Sequence, residues 1–220
     1  MKLRSTSQAS TEQGIKMLVH GPAGAGKTRL CATLPDPLII SAEAGLLSLS
    51  EFDIPFVSVN TMNDVTEVYE ALKAGNSPYQ SIALDSVSEI AEVVLANEKS
   101  MTKDPRKAYG ELIEKMTALL RAFRDLPQLH VYMSCKQQQQ IEGETTYHSC
   151  SLPGAKLSQQ IAYLFDEVFA LRVNRSDDGI RRVLQTAGDS EYEAKDRSGK
   201  LDEFEDADLG AIINKIKGEV

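Results

Sequence analysis

The chain has 220 residues, 42% hydrophobic and 25% charged, with a formal net charge of −8. These proportions are ordinary for a soluble globular protein, and the length suits one well-filled domain. The acidic balance excludes a body coated in positive charge, although a local basic loop can still neutralise phosphates.

Residues 1–13 are polar and small and read as a flexible lead-in to a single domain over 14–220. "GIKMLVH" is a short apolar run ending at Gly21, predicted as a buried strand. "KTRLCATL" follows as a helix, stopped by Pro35 and Pro37, which cannot continue it. "LII" and "FVSV" read as the next strands. "NDVTEVYEALKAG" reads as a helix capped by Asn63 and ended by Gly75. "SIALD" is an apolar strand ending on an acid. "SEIAEVVLANEKSM" and "KAYGELIEKMTALLRAFRDL" are amphipathic helices around the polar link "TKDPR". "HVYMS" is a strand, and "QQQQIEGETTYHSCSLPG" reads as a long polar loop. "KLSQQIAYLF" is a helix, and "EVFALRV" and "IRRVLQT" are strands joined by "NRSDDG", whose Asp-Gly signals a turn. "DADLGAIINKIKG" closes as a short helix. Strands alternating with helices predict an α/β fold with a mostly parallel central sheet flanked by helices. No apolar run approaches a membrane span and "MKLRSTSQASTEQ" has no apolar signal core, which predicts a cytoplasmic protein. Cys31, Cys135 and Cys150 are scattered and odd in number and read as reduced thiols, neither a disulfide framework nor a zinc site; His20, His130 and His148, equally scattered, read as ordinary strand and loop residues.

"GPAGAGKTRL" fits G-x-x-x-x-G-K-[ST] from Gly21 to Thr28, between a strand and a helix. Gly21, Gly24 and Gly26 let backbone N–H groups turn inward around phosphates, with Pro22, Ala23 and Ala25 completing the loop and Arg29 following it. Lys27 reaches the β and γ phosphates, and the Thr28 hydroxyl holds Mg²⁺. ATP and Mg²⁺ are the cofactors this motif predicts. Asp85, ending "SIALD", is the expected second metal-side group. Glu43, just beyond "LII", lies where a parallel sheet gathers strand ends on the edge of Gly21 and Asp85, so it can orient the attacking water.

Together these residues resemble the RecA-type branch of P-loop ATPases. "SAEAGL" resembles that family's acid-bearing segment and "IALDSV" its metal-binding strand. "VYMSCKQQQQ" falls at the strand ending in a polar sensor, matched by Lys136, with a DNA-binding loop after it. "EAKDRSG" is similar to the Lys-x-Arg element that such ATPases insert into a neighbour's site, which would make Lys195 and Arg197 fingers acting in trans. The resemblance spans about residues 14–200 and is strongest to short phage-encoded ATPases that act in single-strand annealing and recombination. It implies single-stranded DNA and further copies of the chain as partners, admits a single-strand-binding protein, and places the protein in a host cytoplasm.

Two segments could meet DNA. "KSMTKDPRKAYG" carries Lys99, Lys103, Arg106 and Lys107 against Asp104, with Tyr109 as a stacking surface. The second holds the amides of Gln137, Gln138, Gln139 and Gln140. The expected function is an oligomeric, DNA-stimulated ATPase that promotes annealing or strand exchange. Three alternatives stand beside it: a hexameric helicase-like motor, which shares the Lys-x-Arg element; a small-molecule P-loop kinase, for which no Arg-rich lid is evident; and a binding module whose ATP only sets oligomer state.

Overall fold

The computed structural model describes residues 13–219 apart from 44, 76, 177 and 178. The expected lead-in therefore lies outside the described residues except for Gln13, as do both aspartates of "NRSDDG". The strands are β1 (Lys16–Gly21), β2 (Pro37–Ser41), β3 (Phe56–Ser58), β4 (Ser81–Asp85), β5 (His130–Glu142), β6 (Thr145–Ser151), β7 (Glu167–Ser176), β8 (Gly179–Gln185), β9 (Lys195–Asp196) and β10 (Phe204–Asp206). The α-helices are α1 (Met62–Lys73), α2 (Val87–Met101), α3 (Pro105–Arg124), α4 (Ala155–Ile161) and α5 (Leu209–Lys217).

All ten strands join one sheet in the order β10-β8-β7-β1-β5-β4-β2-β3, with β6 added to β5 and β9 to β7. From β7 to β3 every neighbouring pair is parallel. The pairings of β6, β8, β9 and β10 are antiparallel. The α/β fold expected from the sequence, a mostly parallel central sheet flanked by helices, is thus the fold observed. Both faces of the parallel strands are covered, which is why they read as unbroken apolar runs. Along β1, Leu18 points into a cluster with Val94, Leu112, Met116 and Phe123 from α2 and α3. Met17 and Val19 point the other way, toward Leu30, Phe169, Leu184 and Ile212. In α3 the buried Ala108, Leu112, Met116, Leu119, Leu120 and Phe123 recur at helical spacing and form one apolar stripe.

"KTRLCATL" is helical as expected, in the form of a 3-10 helix over Thr28–Thr33. Two local expectations are corrected. Thr61, not Asn63, caps α1: its hydroxyl accepts from Asp64 N while Asp64 accepts from Thr61 N, a reciprocal capping box. Asn63 sits in the first turn and donates to Glu67. The polar loop after "HVYMS" is instead a β-hairpin, because β5 continues to Glu142 and pairs with β6 from Lys136↔Ser151 to Glu142↔Thr145.

Candidate active site

Parallel strands deliver their carboxyl ends to one edge, and the cleft of about 1200 Å³ lies there. β5 runs between the phosphate-loop strand β1 and the acid-bearing strand β4, so its own end projects into the gap between loop and acid. The loop turns at Gly24 (φ +74°) and Gly26 (φ +109°), left-handed positions that side chains disfavour. Tyr132, buried beneath the loop on β5, donates from its hydroxyl to the Lys27 carbonyl (2.8 Å). Lys27 itself folds back, its ammonium donating to the carbonyls of Gly21 (2.7 Å) and Pro22 (3.0 Å). Burial draws its pKa below the ordinary lysine value, against the opposing pull of Asp85 and Glu43. Those carbonyls can be exchanged for phosphate oxygens when a nucleotide enters.

Asp85 is 3% exposed and accepts a hydrogen bond from the Ser134 hydroxyl on β5. Glu43 sits two residues beyond β2; the Ser41 hydroxyl bends the chain there by donating to the Glu43 carbonyl (2.7 Å). The Ser86 hydroxyl then donates to Glu43 Oε1 (2.7 Å), aiming the carboxylate into the cleft it lines with Thr28 and Asp85. A carboxylate held there can orient a water and accept its proton. Thr28 and Asp85 offer the hard oxygen donors that Mg²⁺ takes, and Asp85, a buried acid facing the cleft and steadied by the Ser134 hydroxyl, fits that use. The ion, when bound, supplies charge neutralisation at the phosphates. Among the described residues no cluster of three or more His, Cys, Asp or Glu forms a metal site, so an ion here needs phosphate and water oxygens as well.

Other expected residues divide. Lys136 lines the cleft and pairs with Glu89. Gln137, expected on a DNA loop, also lines the cleft, next to Lys136. Its carboxamide faces Nδ1 of His20 (3.3 Å), whose Nε2 donates to the Glu193 carbonyl (2.7 Å). Burial lowers the pKa of His20 from its ordinary value, against the hydrogen bonds to Glu193 and Gln137. Gln138 and Gln139 spend their amides across the hairpin, on Ser149 (3.1 Å) and His148 (3.3 Å). Gln140 is exposed near the hairpin tip.

Lys99, Lys103, Arg106, Lys107 and Tyr109 gather where α2 meets α3 and do not line the cleft. Lys99 lies over the Tyr109 ring (5.4 Å). Lys195 and Arg197 stand at the opposite edge of the sheet, since β9 pairs with the first residues of β7. Those residues are level with Met17, about 13 Å along β1 from Gly21. Lys195 is used inside the chain, donating to the carbonyls of Ala162 (2.8 Å) and Phe165 (2.6 Å). Arg197 is more exposed and pairs with Asp166 (2.8 Å).

Sequence reasoning missed Ser86, Ser134, Tyr132, His20 and Arg182. Ser86 directly follows β4 and Ser134 stands near the end of the parallel part of β5, so position could have flagged them. Tyr132, His20 and Arg182 become visible only once the strand order is known. Among the described residues no helix is long and apolar enough to cross a membrane.

Comparison with known proteins agrees at the level of the domain. A search of curated proteins finds no match. Among solved structures, a KaiC-like protein from the hyperthermophilic archaeon Pyrococcus horikoshii superposes with a TM-score of 0.47 at 18% identity, over 78% of this chain and 77% of that one. A family model described as an AAA domain matches residues 13–198, the span that holds the phosphate loop, Glu43, Asp85 and the sheet that aligns them. The chain belongs to that AAA-domain family of P-loop nucleoside triphosphatases.

Proposed function

We propose that this protein hydrolyses ATP as an oligomer and binds single-stranded DNA to promote annealing or strand exchange. The observation that carries the DNA part is the start of α3. Lys103, Arg106 and Lys107 are exposed there, and none has an ion-pair partner among the described residues. The first turn of α3 contains no acid. Cations at a helix amino terminus oppose its dipole, at roughly 0.3–1 kcal/mol each. Three of them beside one capping aspartate, on a protein of net charge −8, suit a partner of dense negative charge. Tyr109, 36% exposed and backed by Lys99, adds a ring on which a base can stack.

Neutralising Lys103, Arg106 and Lys107 together should weaken single-stranded DNA binding at every sequence. It should also flatten the salt dependence by about 0.7 in log–log slope for each phosphate that the protein no longer neutralises. A titration by fluorescence anisotropy across salt concentrations measures both. An unchanged slope would remove this surface from the DNA path. The oligomeric part rests on Arg197, which is exposed beside Asp166 and lies too far from its own chain's loop to act there, so a role at a nucleotide would need another copy of the chain.

A further inference from the structure

One wall of the cleft comes from β8, a strand with no recognised motif. Alternation along it sends Ile180, Arg182 and Leu184 to one face and Arg181, Val183 and Gln185 to the other. Leu184 packs in the apolar cluster that also holds Ala25 and Leu30 of the phosphate-loop region. Arg182, two residues earlier, is thereby carried to the level of the loop. Its Nε donates to the Ala25 carbonyl (2.8 Å). Its Nε and Cδ lie so close over Gly26 that a Cβ there would stand 3.1 and 3.2 Å from them. With a side chain at Gly26 the arginine would have to give way by a few tenths of an ångström. Arg181 faces away and pairs with Asp206 (2.8 Å). Arg182 has no acidic partner among the described residues, and its terminal nitrogens make no hydrogen bond to them. It lines the same cleft as Lys27 and Thr28.

We infer that Arg182 is a nucleotide-contacting residue supplied by the chain that holds the loop. Anchored through Nε on the Ala25 carbonyl, its guanidinium presents its remaining N–H donors to the polyphosphate of a bound nucleoside triphosphate. A planar fork suits both tasks at once, because one edge grips the backbone while the other meets phosphate oxygens. Lysine has the charge but no second, fixed donor direction, so it cannot do both. Arg182 and Lys27 then approach the phosphates from the two sides of one loop. The assignment rests on the cleft being the nucleotide site, and Lys27→Ala is the control for that.

The test is equilibrium binding of a fluorescent ATP analogue to the full chain, alongside the melting temperature without nucleotide. Arg182→Gln should raise the Kd by roughly 10- to 100-fold, the range for losing a hydrogen bond to a charged group, while the unliganded protein stays folded, its melting temperature lowered only slightly by loss of the bond to the Ala25 carbonyl. Arg182→Lys keeps the aliphatic stem and the charge and should still bind clearly more weakly than wild type. Arg181→Gln, on the opposite face, should bind as wild type. Weakened binding in Lys27→Ala with wild-type affinity in Arg182→Gln would overturn the Arg182 contact alone. Wild-type affinity in Arg182→Lys would also overturn it, even if Arg182→Gln failed to fold, because charge or packing would then suffice. Unchanged binding in Lys27→Ala as well would overturn the phosphate-loop site and this contact with it.

Discussion

Glu43 leaves the sheet two residues behind it, so its side chain depends on a neighbour for direction, and Ser86 supplies it. The same hydroxyl that donates to Glu43 accepts from Glu89 N (3.3 Å) and caps α2. Glu43→Gln should bind ATP like wild type and hydrolyse it 10²- to 10⁴-fold more slowly, roughly the contribution of a general base. Ser86→Ala leaves the carboxylate but frees it. Turnover should fall about 10-fold at unchanged affinity, the worth of one hydrogen bond, with about 1 kcal/mol lost from the helix cap. Steady-state hydrolysis beside nucleotide binding checks both, and full turnover in Ser86→Ala would mean that another group aims Glu43. Glu43 and Asp85 were legible in the sequence because parallel strands must end on one edge. Arg182 was not, because two adjacent arginines look alike until neighbouring strands decide which one faces the loop.

At the scale of elements, the sequence of the hairpin β5–β6 reads as a loop because four glutamines in a row carry no apolar alternation. What holds that stretch extended is cross-strand pairing, a tertiary fact that composition does not encode. The turn after β9 was legible as basic, but not its fastening. Glu167, the first residue of β7, is 1% exposed, accepts from Ser198 N (3.2 Å), and has no partner for Oε2 among the described residues. Burial, then the nearby Asp196 carboxylate, pushes its pKa up to about 8. The folded protein therefore keeps a proton that the unfolded chain releases above the ordinary value of 4.5. The contribution of Glu167 to stability falls as pH rises from there through 8. Between pH 4 and 6.5 the reverse effect of His130, whose pKa burial lowers to about 4, opposes it. The least disturbed window is pH 6.5 to 7.5, above His130 and below the pKa of about 8 to which burial lowers Lys16; there Glu167 contributes a loss of about 1 kcal/mol per pH unit. Glu167→Gln should remove that contribution, so its denaturation midpoint should fall less across the window and exceed wild type at pH 8. Parallel slopes in the two proteins would mean that Glu167 is ionised throughout.

For the whole molecule, the phosphate loop and Arg197 occupy opposite edges of one sheet, so a finger role for Arg197 requires a second chain. Arg197→Ala and Lys27→Ala, each inactive alone, should regain part of the activity when mixed, since some intact loops then meet intact arginines. Mixed oligomers that form and stay inactive would confine the hydrolytic site to one subunit. The manner of association is restricted by the ends of the sheet. Both terminal strands of the main path, β3 and β10, are three residues long, so neither offers more than a rung or two of free backbone. Strand addition is blunted at these two ends. In the oligomer proposed above, contacts at these two ends would fall to side chains, which would make the association tunable by charge and salt and would guard these ends against cross-β fibres.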